Sequence, residues 1–257
     1  MASSPKATGA SQLSTKESSP PAKRVQESLT NVPTARGPTV CSELAALPAI
    51  VFDTETTGLP PWTRKVNADK INGPDGNDGG AVTDEWKGCR LVQLAWQVVI
   101  EGRASVQPQP FNAIVKPVGY VIPPDSSAIH GIMHEDALAK GQSLNDVLNY
   151  FEFVLDMYPE AVLVAHNIEF DEAVLRSEAI RAGRMSLAAK IEGMRKHCTM
   201  KTAVKGTEDK RGRCRKWPKL FDLYRELFDC EAPGHAHDAR YDTAVCADIY
   251  KRQAKLI

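Results

Sequence analysis

Eight residues, Val51-Phe52-Asp53-Thr54-Glu55-Thr56-Thr57-Gly58, constrain the rest of the chain. The apolar run Ala49-Ile50-Val51-Phe52 is built of branched and aromatic residues and predicts a buried β-strand. It ends in two carboxylates, Asp53 and Glu55, and is stopped by Gly58 and Pro60-Pro61. Side chains alternate along a strand, so residues two apart share a face. Both carboxylates therefore project together from the strand's end. Hard divalent cations such as Mg²⁺ take oxygen ligands and are commonly held by one or two carboxylates plus substrate phosphates. The stretch reads as half of a metal site. A strand running into an acidic, solvated turn is the other reading of an Asp-x-Glu alone, and the remaining chain has to decide between them.

The 257 residues allow one large domain or two small ones. Lys plus Arg equals Asp plus Glu at 32 each, so net charge names no partner; a basic patch can still lie beside an acidic site. The six cysteines (41, 89, 198, 214, 230 and 246) form no C-x-x-C pair and lack zinc-ligand spacing. They read as reduced thiols of an intracellular protein. No apolar run approaches the ~18 residues of a membrane span, so no membrane partner is expected.

Residues 1–46 are rich in Ser, Thr, Pro, Ala and Lys and are expected to form a disordered low-complexity tail, with residues 47–257 forming one domain. Pro20-Pro21-Ala22-Lys23-Arg24-Val25 resembles a weak nuclear import patch, whereas the scarcity of acids would suit a mitochondrial presequence. Nucleus or cytoplasm is the expected location, with the mitochondrion as the alternative. After the first strand comes a long Gly/Asn/Asp/Pro-rich connection, Leu59 to Cys89, carrying Trp62 and Trp86. These rings could stack on a nucleobase or pin the loop to the body. Strands are predicted over 90–100 and 111–115, completing an antiparallel meander, and the apolar Ala161–Ala165 predicts a strand parallel to the first. Ser143 is the predicted N-cap of a helix whose stripe Leu144, Val147, Leu148, Phe151, Val154 and Leu155 is core. Another helix follows His166-Asn167, with Asp171 near its start, and the last helix is capped by Asp238. Between Arg181 and Lys219, thirteen Lys and Arg face three acids, the imbalance of a phosphate-tracking face or of a solvated charge run.

Four carboxylates thus fall at element ends, and His237 lies five residues before the last of them. The segments Phe52–Gly58, Ile129-His130-Gly131-Ile132, Ala165–Asp171 and His237-x-x-x-x-Asp242 together resemble the DEDDh exonucleases, the DnaQ-like proofreading family, over about residues 48–255. The resemblance implies an α/β, ribonuclease H-like fold: a mixed five-stranded sheet flanked by α-helices, with residues 47–257 as the exonuclease domain. It implies 3′→5′ hydrolysis from single-stranded or frayed nucleic-acid 3′ ends, DNA rather than RNA, releasing nucleoside 5′-monophosphates. Two Mg²⁺ or Mn²⁺ ions, about 3.5–4 Å apart, would stabilise the attacking and leaving oxygens. By resemblance Asp53 bridges both ions, Glu55 and Asp242 hold the one that activates water, and Asp171 holds the second. His237 would be the general base, a task suited to imidazole as a side-chain type. His235 competes, and only the spacing to Asp242 favours His237. Thr56, Gly58, Leu59, Ile129, His130 and Asn167 are the implied contacts to the terminal nucleotide. Four converging carboxylates repel one another without cations, so the physics agrees with the analogy. The long 59–89 connection and the basic Lys205–Lys216 stretch depart from compact members. An RNA-trimming exoribonuclease and a non-catalytic nucleic-acid-binding module remain as rival readings.

Overall fold

The computed structural model describes residues 47–60, 86, 88–101, 110–205 and 216–256. The expected tail, Trp62, most of the 59–89 connection and the densest basic cluster except Lys216 lie outside the described residues.

Five strands form one sheet: β1 (Ala49–Thr56), β2 (Leu91–Val99), β3 (Phe111–Ile114), β4 (Val162–Ala165) and β5 (Arg195–Cys198). Their order is β3-β2-β1-β4-β5, with β1 in the centre. The first three strands are the antiparallel meander expected, and β4 runs parallel to β1. The fold is therefore the α/β, mixed five-stranded sheet that the family resemblance implies. The described helices are α1 (Pro124–His130), α2 (His134–Lys140), α3 (Leu144–Met157), α4 (Ile168–Arg181), α5 (Met185–Gly193), α6 (Thr199–Val204), α7 (Leu220–Phe228) and α8 (Ala239–Gln253).

The alternation of β1 assigns the two faces. Ile50 and Phe52 face α3, α4 and α5, joining Trp96, Phe151, Leu175 and Leu187 in the larger core. Ala49 and Val51 face α8, packing with Cys246, Ala247 and Tyr250. Ser143 caps α3 as expected, its Oγ accepting from the Asp146 N–H at 3.1 Å, and Val147, Leu148, Phe151 and Leu155 of its stripe are buried.

Elements not read from the sequence include β5, α1 and α5. The strand β5 is the charged Arg195-Lys196-His197-Cys198, which carries no apolar alternation. It exists because β4 offers it a parallel partner. No helix was expected at α1, where Ile129-His130-Gly131 reads as a turn. Pro124 instead occupies its first position, where a missing N–H is harmless, and Gly131 closes it at φ +74. The helix α5 hides in the basic tract, its Leu187, Ala188 and Ile191 buried. Much of that tract's described charge is neutralised within the molecule: Arg184 pairs with Glu152, Lys190 with Glu152 and Asp156, Lys196 with Glu172, and Lys201 with Glu169.

The feet of the 59–89 connection are tied together. The Thr57 N–H donates to the Arg90 carbonyl at 2.9 Å, and Thr57 Oγ1 donates to the Gly88 carbonyl at 2.9 Å. Trp86 packs against Phe170 with ring centroids 5.9 Å apart, so this ring pins the loop. Below it, the buried Glu178 accepts from Arg90 Nε at 2.8 Å, Arg181 Nη1 at 3.0 Å and the Leu91 N–H at 3.1 Å.

Candidate active site

Strand parity places Asp53 and Glu55 on the α8 face of β1 and Thr54 on the α4 face. The parallel strand β4 pairs with β1 only as far as Val51. Beyond that point β1 has an open edge. Asp171, in the first turn of α4, reaches this edge: its Oδ1 accepts from the Thr54 N–H at 3.1 Å and from Thr54 Oγ1 at 2.7 Å. The β1–β2 register shifts between Glu55 and Thr56, a bulge at the carboxylate end that re-aims side chains.

From the opposite face, α8 brings Asp242 to the same point. Ligand atoms of Glu55, His237 and Asp242 all lie within 4.8 Å of one another. Burial pushes the Asp53 carboxyl well above the ordinary carboxylate range, and Asp171, Asp242 and Glu55 push it further. Glu55 is raised to about 8, by burial first and then by Asp242 and Asp171. Asp171 is raised to about 7 by burial, against which its bonds from Thr54 work. Asp242 is also raised to about 7 by burial, while the His237 N–H, donating at 3.2 Å to Oδ2, lowers it. Its other oxygen, Oδ1, is buried with no partner. A buried acceptor with nothing to accept from is a place for a cation, and every carboxylate donor here is the hard oxygen that Mg²⁺ or Mn²⁺ takes.

His237 is exposed and holds a left-handed backbone at φ +66. His235 lies edge-on to the Tyr241 ring, centroids 6.2 Å apart, and is not one of the clustered ligands. In the exposed loop carrying both, Gly234 lies against Tyr241: a Cβ on Gly234, at φ +86, would come within 2.2 Å of that ring.

The remaining predicted residues rim the cluster or shore it up. Thr56 is buried, its Oγ1 donating to the Gly58 carbonyl at 3.0 Å. Gly58 adopts φ +135, and Ser126 of α1 lies over it. Leu59 and Ile129 are 57% and 59% exposed, so both side chains are accessible to a ligand. His130 is buried instead, its Nδ1 accepting from the Ile132 N–H at 3.1 Å. Burial holds its pKa below the ordinary imidazole value; the Thr56 backbone works against this and nearby His237 with it. Asn167 turns β4 into α4 at φ +81 and makes no side-chain cap bond. Its neighbour His166 is tied up structurally, bonded to Thr199 Oγ1 at 2.9 Å and the Pro218 carbonyl at 3.0 Å.

Sequence reasoning missed two residues that shape the site. Thr54 was passed over as the spacer between two acids, yet its N–H and hydroxyl hold Asp171. Gln93 lies directly opposite Glu55 and bonds to Asn112, Asp238 and Ala239. The signal for Gln93 was a polar side chain, one of two with Gln97, inside a largely apolar strand. Asp238 was read as the N-cap, which it is, its side chain accepting from the Arg240 N–H at 3.0 Å; it also adds negative charge beside Asp53 and Glu55.

Comparison with known proteins places this geometry in context. Over 141 residues the chain is 35% identical to a DNA polymerase III subunit epsilon-like protein of Rhodobacter capsulatus, a match covering 55% of this chain and 16% of that protein. Among solved structures it resembles E. coli exonuclease I in complex with a dA16 oligonucleotide, with a TM-score of 0.54 at 19% identity, covering 82% of this chain and 42% of that one. Exonuclease I of Methylocaldum szegediense gives a TM-score of 0.55 at 17% identity, covering 81% and 40%. The chain thus spans well under half the length of these relatives. The exonuclease family of the RNase_T type matches residues 50–250, which takes in both ends of the carboxylate cluster, and the chain belongs to that family.

Proposed function

We propose that the chain is a divalent-metal-dependent 3′→5′ exonuclease that removes nucleoside 5′-monophosphates from single-stranded or frayed DNA ends. The observation that carries this reading is the buried, unpartnered Asp242 Oδ1 among mutually repelling carboxylates. Asp53, Glu55, Asp171 and Asp242 would hold two Mg²⁺ or Mn²⁺ ions. Bound there, the pair supplies Lewis-acid stabilisation of the charge that develops on the phosphate.

The chain's own residues do the rest. His237, exposed beside Glu55 and Asp242, takes the proton of the attacking water. Its backbone bond to Asp242 fixes the root of that side chain. Leu59 and Ile129 offer exposed apolar surface to the terminal base. The Thr56–Gly58 turn and Asn167 offer polar contacts to the terminal sugar and phosphate, and buried His130 shapes the turn after Ile129 through its bond from Ile132. Support for DNA comes from the relatives: one is named as polymerase epsilon-like, and exonuclease I was solved with single-stranded DNA in a zinc-bound form.

A 5′-labelled oligonucleotide, as DNA and as the matched RNA, tests the reading in Mg²⁺, in Mn²⁺ and with chelator. The expected result is a one-nucleotide ladder on DNA that chelator abolishes. Faster digestion of RNA would move the substrate assignment to RNA, since contacts to the 2′-hydroxyl decide it. Binding without digestion in either metal would leave only a binding module.

A further inference from the structure

We infer that Gln93 is a positioning residue for this site: its amide holds the first turn of α8 on the sheet and so sets where His237 and Asp242 stand relative to Glu55. The inference draws its catalytic consequence from the exonuclease reading, but the tether itself does not depend on it.

Gln93 is 4% exposed on β2, directly across from Glu55. Residues directly opposite on paired strands point to the same face, here the face covered by α8. A buried amide must satisfy its polar atoms within the protein. Gln93 Oε1 accepts from the Ala239 N–H at 3.1 Å. That N–H belongs to the first residue of α8, one of the groups a helix start leaves without an intrahelical partner. Gln93 Nε2 donates to Asn112 Oδ1 at 2.9 Å and to Asp238 Oδ1 at 3.3 Å. One side chain therefore joins β2, β3 and both residues on which α8 begins.

What rides on those two residues is the chemistry. Asp242 follows one turn later, its N–H donating to the Asp238 carbonyl at 3.0 Å. His237 immediately precedes Asp238, and its N–H donates back to Asp242. The segment from His237 to Asp242 is thus closed on itself by two bonds and moves as a body. A second polar tie between α8 and β2, Thr243 Oγ1 to the Ala95 carbonyl at 3.3 Å, lies beyond Asp242. Without Gln93 that tie leaves the first turn free to pivot, carrying His237 and Asp242 away from Glu55.

The test uses Gln93→Met, which keeps length and removes the bonds, and Asn112→Ala, which removes only the β3 partner and leaves the Ala239 bond intact. In Gln93→Met, kcat should fall about 10- to 100-fold with KM within about twofold. Mn²⁺ affinity, titrated without substrate, should weaken by about tenfold. Amide exchange across 239–243 in metal-free protein should speed up while the rest of the sheet stays protected. Asn112→Ala should leave all three near the parent values. Parent kcat and parent exchange in folded Gln93→Met would overturn the inference. So would an equal loss in Asn112→Ala, which would mean general loosening of the sheet. Should Gln93→Met not fold, Gln93→Leu, which likewise offers no acceptor to the Ala239 N–H, carries the same test with the same expected and overturning results. The exchange readout stands apart from the exonuclease reading: faster exchange in a protein that digests nothing would keep the tether and sink the activity.

Discussion

Two groups of acid stand toward the two ends of α4, and they are handled in opposite ways. Glu178, 1% exposed, has its charge matched: two guanidinium groups and a backbone N–H converge on one carboxylate. Asp53, Glu55, Asp171 and Asp242 have theirs compounded, each raised first by burial and most of them also by one another. Both groups are buried in one fold, so the difference is not an accident of depth. The first is a finished structural joint that anchors the end of the long connection to α4. The second, on the proposed reading, would be completed by cations from outside the chain. An unfavourable cluster kept beside a satisfied one is what supports the proposal of a cation site at the former.

That contrast can be broken or sharpened by experiment. The largest effect is expected from Asp53→Ala, which should reduce metal-dependent digestion of a labelled oligonucleotide to background while the circular dichroism spectrum is unchanged. Digestion at the parent rate would remove Asp53 from the site. Next, His237→Ala should lower kcat by roughly 10²–10⁴-fold, the usual worth of a general base. The same loss in His235→Ala, with His237→Ala intact, would reverse their assignment.

The two acid groups should then respond with opposite sign to loss of charge. Glu178→Gln leaves two guanidinium groups without their counter-charge and should destabilise the fold by about 3–5 kcal/mol in urea titrations. Asp171→Asn keeps an oxygen for Thr54 but removes repulsion, so metal-free protein should gain roughly 1 kcal/mol. If both substitutions destabilised equally, the cluster would be an ordinary buried network.

The smallest effect is on pH. Carboxyls whose folded pKa is raised bind protons more tightly folded than unfolded. The stability they contribute is present at low pH and is lost as pH rises through about 7 for Asp171 and Asp242 and about 8 for Glu55. Metal-free protein should therefore melt a few degrees higher near pH 6 than near pH 8 (about 2–4 °C per kcal/mol for a chain of this size). Saturating Mg²⁺ should erase the difference by stabilising the ionised cluster. A melting temperature that rises with pH across this window without metal would contradict it.

What the sequence determined by itself was local and periodic. The Asp53/Glu55 pair shares a face because strands alternate, and that holds in any fold containing the strand. The α3 stripe, its Ser143 cap and the Asp238 cap follow from 3.6-residue spacing and from orphan N–H groups, both encoded within a few residues. The elements that escaped, β5 and α1, owe their existence to a partner strand and to a proline placed where it does no harm, neither of which periodicity reveals. Tertiary structure alone decided that β4 pairs with β1 only as far as Val51, opening the edge of β1 to Asp171, and that α8 crosses the opposite face with Gln93 beneath its first turn. It also decided that His237 and not His235 meets Glu55 and Asp242. These are distances between groups far apart in the chain, set by how faces pack, and alternation along one strand carries no record of them.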